Sequence, residues 1–175
     1  MLKKFIPKRV ETPGGEILLR EAQKKDLAEL NGIVNEPGVN RFVCMPAPVP
    51  IGATKGHYLE KKRAGEPWVI AIFEGKAVGS IDLRPRFGRE SHVSEFGIAF
   101  SKKVHGKGIA EAAVRHCFAW LAKNGIEKIV TSVISDNARA RAFYKKLGFV
   151  ELCRLSRNCK RGSRYLDTIV IERFL

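Results

Sequence analysis

Seven consecutive residues narrow the choice of fold more than any other part of the chain: Val104-His105-Gly106-Lys107-Gly108-Ile109-Ala110. They stand between two segments of different period. Before them, residues 92–100 alternate, with Phe96, Ile98 and Phe100 on one side and Val93, Glu95, Gly97 and Ala99 on the other, the pattern of a strand. After them, Ile109, Ala113, Cys117, Trp120 and Leu121 recur at helical spacing over 109–123, the stripe of a helix packed on a sheet, and Gly125 supplies its stop. A strand that passes into such a helix within a few residues belongs to an α/β fold. Gly106 and Gly108 admit backbone angles that other residues resist, so successive N–H groups can converge on one anion. The helix start adds unpaired donors and the positive end of its dipole. The turn is therefore a candidate cradle for a diphosphate, with a plain strand-to-helix turn as the alternative. Two familiar phosphate loops do not fit it. Ser101 stands where the nucleotide-hydrolase pattern requires Gly, no Ser or Thr follows Lys107, and Glu111 occupies the place of the third Gly in the dinucleotide pattern.

The remaining segments predict the order βααβββαβαββ, a mixed sheet with helices on its faces. A strand is expected over 17–22, then a helix with Leu27, Leu30, Ile33 and Val34 on one face, ended by Glu36-Pro37-Gly38. Residues 39–50, with Pro46, Pro48 and Pro50, read as an extended loop, and 54–64 as a short helix. Runs 68–73 and 77–83 form a hairpin around Glu74-Gly75-Lys76. A β-branched strand covers 129–135. Ser135-Asp136-Asn137 offers caps for a helix carrying Ala140, Phe143, Tyr144 and Leu147, with Gly148 at its end. Strands 149–155 and 165–174 flank a basic hairpin loop. No linker or repeat divides the chain, so one domain is expected over 1–175.

These residues resemble the GCN5-related N-acetyltransferases, whose signature is Gln or Arg, two variable residues, Gly, one variable residue, then Gly or Ala. His105-Gly106-Lys107-Gly108-Ile109-Ala110 matches it except at its first position. Asn137, Arg139-Ala140, Phe143-Tyr144 and Gly148-Phe149 fall at the spacing of the family's second motif. The resemblance is strong over 68–150 and loose over 1–66. It implies a mostly antiparallel mixed sheet with splayed central strands, helices on both faces, and acetyl-coenzyme A as cosubstrate. It further implies that the strand at 95–100 holds the pantetheine arm and that the amides of Gly106, Lys107, Gly108, Ile109 and Ala110, beside His105, face the pyrophosphate. An N–H near Ile98 would polarise the thioester carbonyl. Glu95 is the candidate base for the amine, with a surface or salt-bridged strand Glu as the alternative. Tyr144 resembles the acid that protonates the departing thiolate, and a core aromatic is its alternative. Asn137 is a candidate ligand of the cofactor arm or a helix cap. His105 departs from the family pattern, since it lacks the fixed charge and fork of arginine.

Charge and cysteines bound the partners. Lys plus Arg number 32 against 18 Asp plus Glu, a net charge of +14 that favours anionic partners. Arg154, Arg157, Lys160, Arg161 and Arg164 crowd the last hairpin, either as a solvated tip or as an anionic or ribosomal contact. No apolar stretch suggests a signal peptide or a membrane span, so a cytosolic protein is expected. Cys44, Cys117, Cys153 and Cys159 lack Cys-x-x-Cys spacing, and His57, His92, His105 and His116 lack ligand spacing, so neither disulfides nor a metal site is expected. Cys117 and Cys153 read as core thiols, which favours direct transfer in a ternary complex over a cysteine relay. The acceptor is an amine, with a protein N-terminus, a ribosomal protein, a small amine or an amino acid all open, to be met near 39–50 and the hairpin after Leu155. A non-enzymatic acyl-coenzyme A module and a basic RNA- or ribosome-associated protein remain as rival readings. The oligomeric state is open, a homodimer included.

Overall fold

The computed structural model describes residues 3–175. Its strands are β1 (Lys8–Val10), β2 (Ile17–Glu21), β3 (Trp68–Phe73), β4 (Lys76–Pro85), β5 (Val93–Phe100), β6 (Lys128–Ile134), β7 (Val150–Arg161) and β8 (Arg164–Phe174). Its helices are α1 (Leu27–Val34), α2 (Pro37–Asn40), α3 (Ile51–Ala64), α4 (Ile109–Ala122) and α5 (Ala138–Lys146). The strands form one sheet in the order β1-β2-β3-β4-β5-β6-β8-β7, antiparallel throughout except where β5 meets β6. The α/β architecture with a mostly antiparallel mixed sheet is the expected one.

Both faces of the sheet are covered, and β3 shows why its sequence is apolar without interruption. Val69 and Ala71 join a core with Ile109, Ala113, Cys117 and Leu121 of α4 and Tyr144 of α5. Trp68 and Ile70, on the opposite face, join Leu27, Leu30 and Ile33 of α1. A strand buried on both sides cannot alternate with polar residues.

The centre of the sheet opens where β5 and β6 part. Their parallel pairing covers Val93, Ser94 and Glu95 against Lys128, Ile129 and Val130 and then stops, although β5 continues to Phe100 and β6 to Ile134. The Thr131 hydroxyl donates to the Phe96 carbonyl at 2.7 Å, replacing a main-chain donor where the ladder ends. Meanwhile the far end of β5 stays on β4, because the Phe100 ring lies against Gly79, where a Cβ would stand 2.2 Å from a ring carbon. Only glycine permits that approach.

Four expectations need correction. Strand β1 and helix α2 are additional elements, too short, at three and four residues, to carry a period. The basic segment after Leu155 is strand rather than loop: β7 runs to Arg161 and turns through Gly162 and Ser163 alone, with irregular pairing between Leu155 and Cys159. The absence of disulfides is overturned, since Cys44 and Cys159 are bonded with Cα atoms 5.8 Å apart, inside the normal range. A separation of 115 residues leaves no local sign of that pairing. Finally, Cys117 is buried in α4 as expected, but Cys153 lies exposed on β7, the edge strand. No helix among the described residues is long and apolar enough to cross a membrane.

Candidate active site

The parting of β5 from β6 opens a cleft of about 930 Å³ that runs from the glycine turn to Glu95. Main-chain direction along β5 follows from two bonds. The Phe96 carbonyl points toward β6, where it accepts from Thr131, whereas the Ser101 N–H points the opposite way, to Val78 on β4. Direction alternates along an antiparallel strand, so the N–H and C=O of Ile98 share the side of Phe96. They face the gap at a point where β6 has already diverged.

At one end of the cleft, Gly106 and Gly108 both adopt left-handed backbone angles, φ 76° and 72°. Nothing lies within 4 Å of the point a Gly106 Cβ would occupy, whereas a Cβ on Gly108 would come within 2.7 Å of Pro13. The turn between β1 and β2 thus braces the loop from behind. The first helical bond of α4 runs from Ala112 N–H to the Gly108 carbonyl, so the amides of Ile109 and Ala110 precede it and, with those of Gly106 and Gly108, have no partner among the described residues. The Lys107 amide differs, donating to Val104 at 3.4 Å. Lys107 extends its ammonium over the Phe73 ring, 5.3 Å from the centroid, and the Ile109 side chain is buried in the core, so neither side chain lines the cleft. An open cradle of free N–H donors at a helix start fits a diphosphate.

His105 lines this end, and its Nδ1 accepts a hydrogen bond from Arg139 of α5 at 2.9 Å. Partial burial, reinforced by the Arg139 charge, holds the imidazole pKa below the ordinary histidine value. Arginine can only donate, so Nδ1 is the acceptor in this pair, and Arg139 brings beside position 105 the fixed positive charge that a histidine lacks. The second-motif spacing contained Arg139, but only the fold reveals its contact with His105.

In the middle, Tyr144 and Asn137 line the cleft. The Tyr144 ring packs edge-on against Phe96 and Phe149, while its hydroxyl makes no hydrogen bond among the described residues. Burial pushes the phenol pKa well above its usual value, so the group keeps its proton at neutral pH. Asn137 caps α5, its Oδ1 accepting from the Ala140 N–H at 3.1 Å.

At the opposite end, Glu95 accepts from Arg86 at 2.9 Å and remains partly exposed. Its cross-strand neighbour is Arg84, whose Nε donates to Asp82 at 2.9 Å. Burial alone would raise the Asp82 pKa; the hydrogen bond from His57, the adjacent Lys61 ammonium and the Arg84 charge override it and hold the carboxyl at about 2. Lys61 is itself buried, donating to Glu66 and to the Leu83 carbonyl, both at 2.7 Å. Sequence reasoning missed this network, although Asp82 and Arg84 share a strand face two residues apart. The adjoining wall comes from Val39, Phe42, Val43 and Cys44, and Leu155 joins from β7. The basic side chains of the last hairpin, 154–164, do not line the cleft: Arg154 pairs with Asp167 and Arg164 with Asp136, each at 3.5 Å.

The structure therefore brings Glu95, Ile98, His105, Gly106, Gly108, Ala110, Asn137 and Tyr144 to one cleft. Among the described residues, no three His, Cys, Asp or Glu side chains are grouped to hold a metal ion.

Residues 40–149 match the acetyltransferase (GNAT) family. The L-amino acid N-acetyltransferase AaaT of Escherichia coli (strain K12) is 30% identical over 167 residues, covering 90% of this chain and 98% of its own. The ribosomal-protein-alanine N-acetyltransferase of Brucella melitensis superposes with a TM-score of 0.80 at 22% identity, over 90% of this chain and 99% of that one. A phosphinothricin acetyltransferase from Sinorhizobium meliloti, solved with acetyl-coenzyme A, gives 0.78 at 22% identity, over 90% and 87%.

Proposed function

The chain belongs to the acetyltransferase (GNAT) family and is an acetyl-coenzyme A-dependent N-acetyltransferase, and from that premise we propose that its acceptor is the α-amine of a free amino acid. One observation carries this narrowing: the likeness to an L-amino acid N-acetyltransferase extends over nearly the full length of both chains, the loosely patterned N-terminal third included. The ribosomal-protein enzyme of Brucella melitensis shares the fold at lower identity and does not rank its own acceptor above an amino acid here. The whole of 1–175 is read as one acetyltransferase domain, since all eight strands lie in one sheet.

When bound, the cosubstrate supplies an acetyl group activated as a thioester. The free amides of Gly106, Gly108, Ile109 and Ala110 hold its diphosphate, helped by Arg139 beside His105. The Lys107 amide turns toward the same group on release from Val104, and Asn137 presents its side-chain amide nitrogen to the arm. The Ile98 N–H donates to the carbonyl oxygen on which negative charge builds. Glu95, directly or through water, takes the proton from the attacking ammonium, which must become neutral before its lone pair is available. The C–N bond forms, the C–S bond breaks, and Tyr144 gives a proton to the departing sulfur and is reprotonated by way of solvent as the new amide nitrogen sheds its second proton. Among the cysteines, Cys44 lines the cleft but is bonded to Cys159, which supports direct transfer in a ternary complex.

The test is release of free thiol from acetyl-coenzyme A in the presence of a panel of free L-amino acids, peptides and polyamines. Amino-acid-dependent release is expected, and release with peptides or polyamines alone overturns the acceptor assignment.

A further inference from the structure

The acceptor end of the cleft holds one cation whose hydrogen-bonding capacity is largely unspent. Register between β4 and β5 places Asp82 opposite Gly97 and Arg84 opposite Glu95, so all four residues share a face of the sheet. The Arg84 side chain, 49% exposed, commits only its Nε, to Asp82. Its Nη2 stands 3.4 Å from the point a Cβ on Gly97 would take, so the guanidinium reaches over the bare backbone of Gly97 toward the gap. Neither Nη has a partner among the described residues. Asp82 is a firm mount for this arm, because Lys61, 4% exposed, and His57, at 3.3 Å, fix it from behind. The remaining basic side chains lining the cleft, His105, Arg139 and Lys146, gather at the glycine turn, Lys146 through its ion pair with Glu111.

We propose that Arg84 is the carboxylate anchor of the acceptor, and that it confines the enzyme to amines bearing an α-carboxylate. A planar guanidinium with its outer N–H groups free matches a carboxylate in a way a lysine does not. Directly opposed residues in an antiparallel pair lie about 5 Å apart, so Arg84 and Glu95 are spaced for an acid and an amine carried on one carbon. Their charges also set the orientation: Glu95 repels the carboxylate and receives the ammonium, while Arg84 does the reverse. This assignment rests on the amino-acid reading of the acceptor.

The experiment measures kcat/KM on the intact protein for free L-amino acids and for the same amino acids as carboxamides, by thiol release. The unaltered enzyme is expected to favour the acid about 10- to 100-fold, the range for a hydrogen-bonded charged contact. Arg84→Gln is expected to bring that ratio close to 1, chiefly through KM for the acid, with Arg84→Lys intermediate. Equal use of acids and amides by the unaltered enzyme overturns the anchor without depending on any variant. A ratio preserved in Arg84→Gln, with both substrates weakened together, overturns it as well and leaves Arg84 as a brace for Asp82. In either case amino-acid turnover persists, whereas turnover confined to peptides or polyamines overturns the acceptor reading itself.

Discussion

The two ends of the cleft are built on opposite plans. The end proposed for the diphosphate is mostly main chain: two left-handed glycines and the first amides of α4, contiguous over 105–110, with Arg139 and Lys146 brought from α5. The end proposed for the acceptor is side chains drawn from separate elements, Arg84 of β4, Glu95 of β5 and the wall from Val39 to Cys44, with Asp82 and Lys61 of α3 behind Arg84. Backbone donors recognise a group common to every substrate turnover and have few ways to vary. Side chains can be exchanged singly, so one cradle can serve different amines. The first plan resists pH and is vulnerable to any added Cβ, and the second is the reverse.

The largest effect is expected where the two ends meet. Tyr144→Phe removes the cleft hydroxyl proposed to protonate the sulfur and should lower kcat by about 100-fold, the lower range for a positioned acid, while affinity for coenzyme A by titration stays within threefold. A drop in affinity matching the drop in kcat would make Tyr144 part of the diphosphate end and blur the division.

Acid should separate the ends next. Asp82 has a carboxyl pKa near 2 in the fold against an ordinary 3.8. Its contribution to stability is therefore complete above about pH 4 and is lost as pH falls toward 2. The shift corresponds to about 2 kcal/mol. Denaturant melts across that window should show the loss, and Asp82→Asn should remove this slope while lowering stability at neutral pH. An unchanged acid slope in Asp82→Asn would mean that the network holds no such charge.

A single methyl group tests the opposite plan. Gly108→Ala forces a left-handed angle on a residue with a Cβ and drives that atom against Pro13; at about 1–2 kcal/mol of strain, affinity for coenzyme A should fall about tenfold, with the acid-to-amide preference untouched. Isothermal titration reads the first and substrate competition the second.

The same contrast governs what could be read from sequence. Helix α4 and the turn before it were legible because their signals are contiguous: apolar residues at 109, 113, 117 and 121 and glycines at 106 and 108. Strand β5 was legible by alternation, and its face assignment placed Glu95 and Gly97 together correctly. Strand β1 and helix α2 were not, since three or four residues contain no period and owe their form to neighbours. Arg84 left a fainter trace, Asp82-x-Arg84 on the strand facing Glu95, which names a face but no purpose. The partnership of His105 with Arg139 and the bond between Cys44 and Cys159 have no local trace, because each joins elements that only the closed sheet brings together.

That bond offers the smallest kinetic effect and the most discriminating test. The wall segment 41–48 contains neither helix nor strand, and its downstream end is already pinned, the Val49 N–H donating to Asn35 at 2.7 Å and its carbonyl accepting from Asn31 and Asn35. The middle of the wall is tied to β7 through Cys44 and Cys159. Cys159→Ser should free only that middle, costing about 2 kcal/mol of stability as a lost long-range crosslink and raising KM for the amino acid about threefold as the wall is ordered on binding. Affinity for coenzyme A should not move, because no part of the glycine turn leans on β7. Mild reduction of the unaltered protein should reproduce all three outcomes, read by thermal melting, steady-state kinetics and titration. If reduction instead weakens coenzyme A binding, the two ends are mechanically coupled through the wall, and the independence on which their contrast rests is lost.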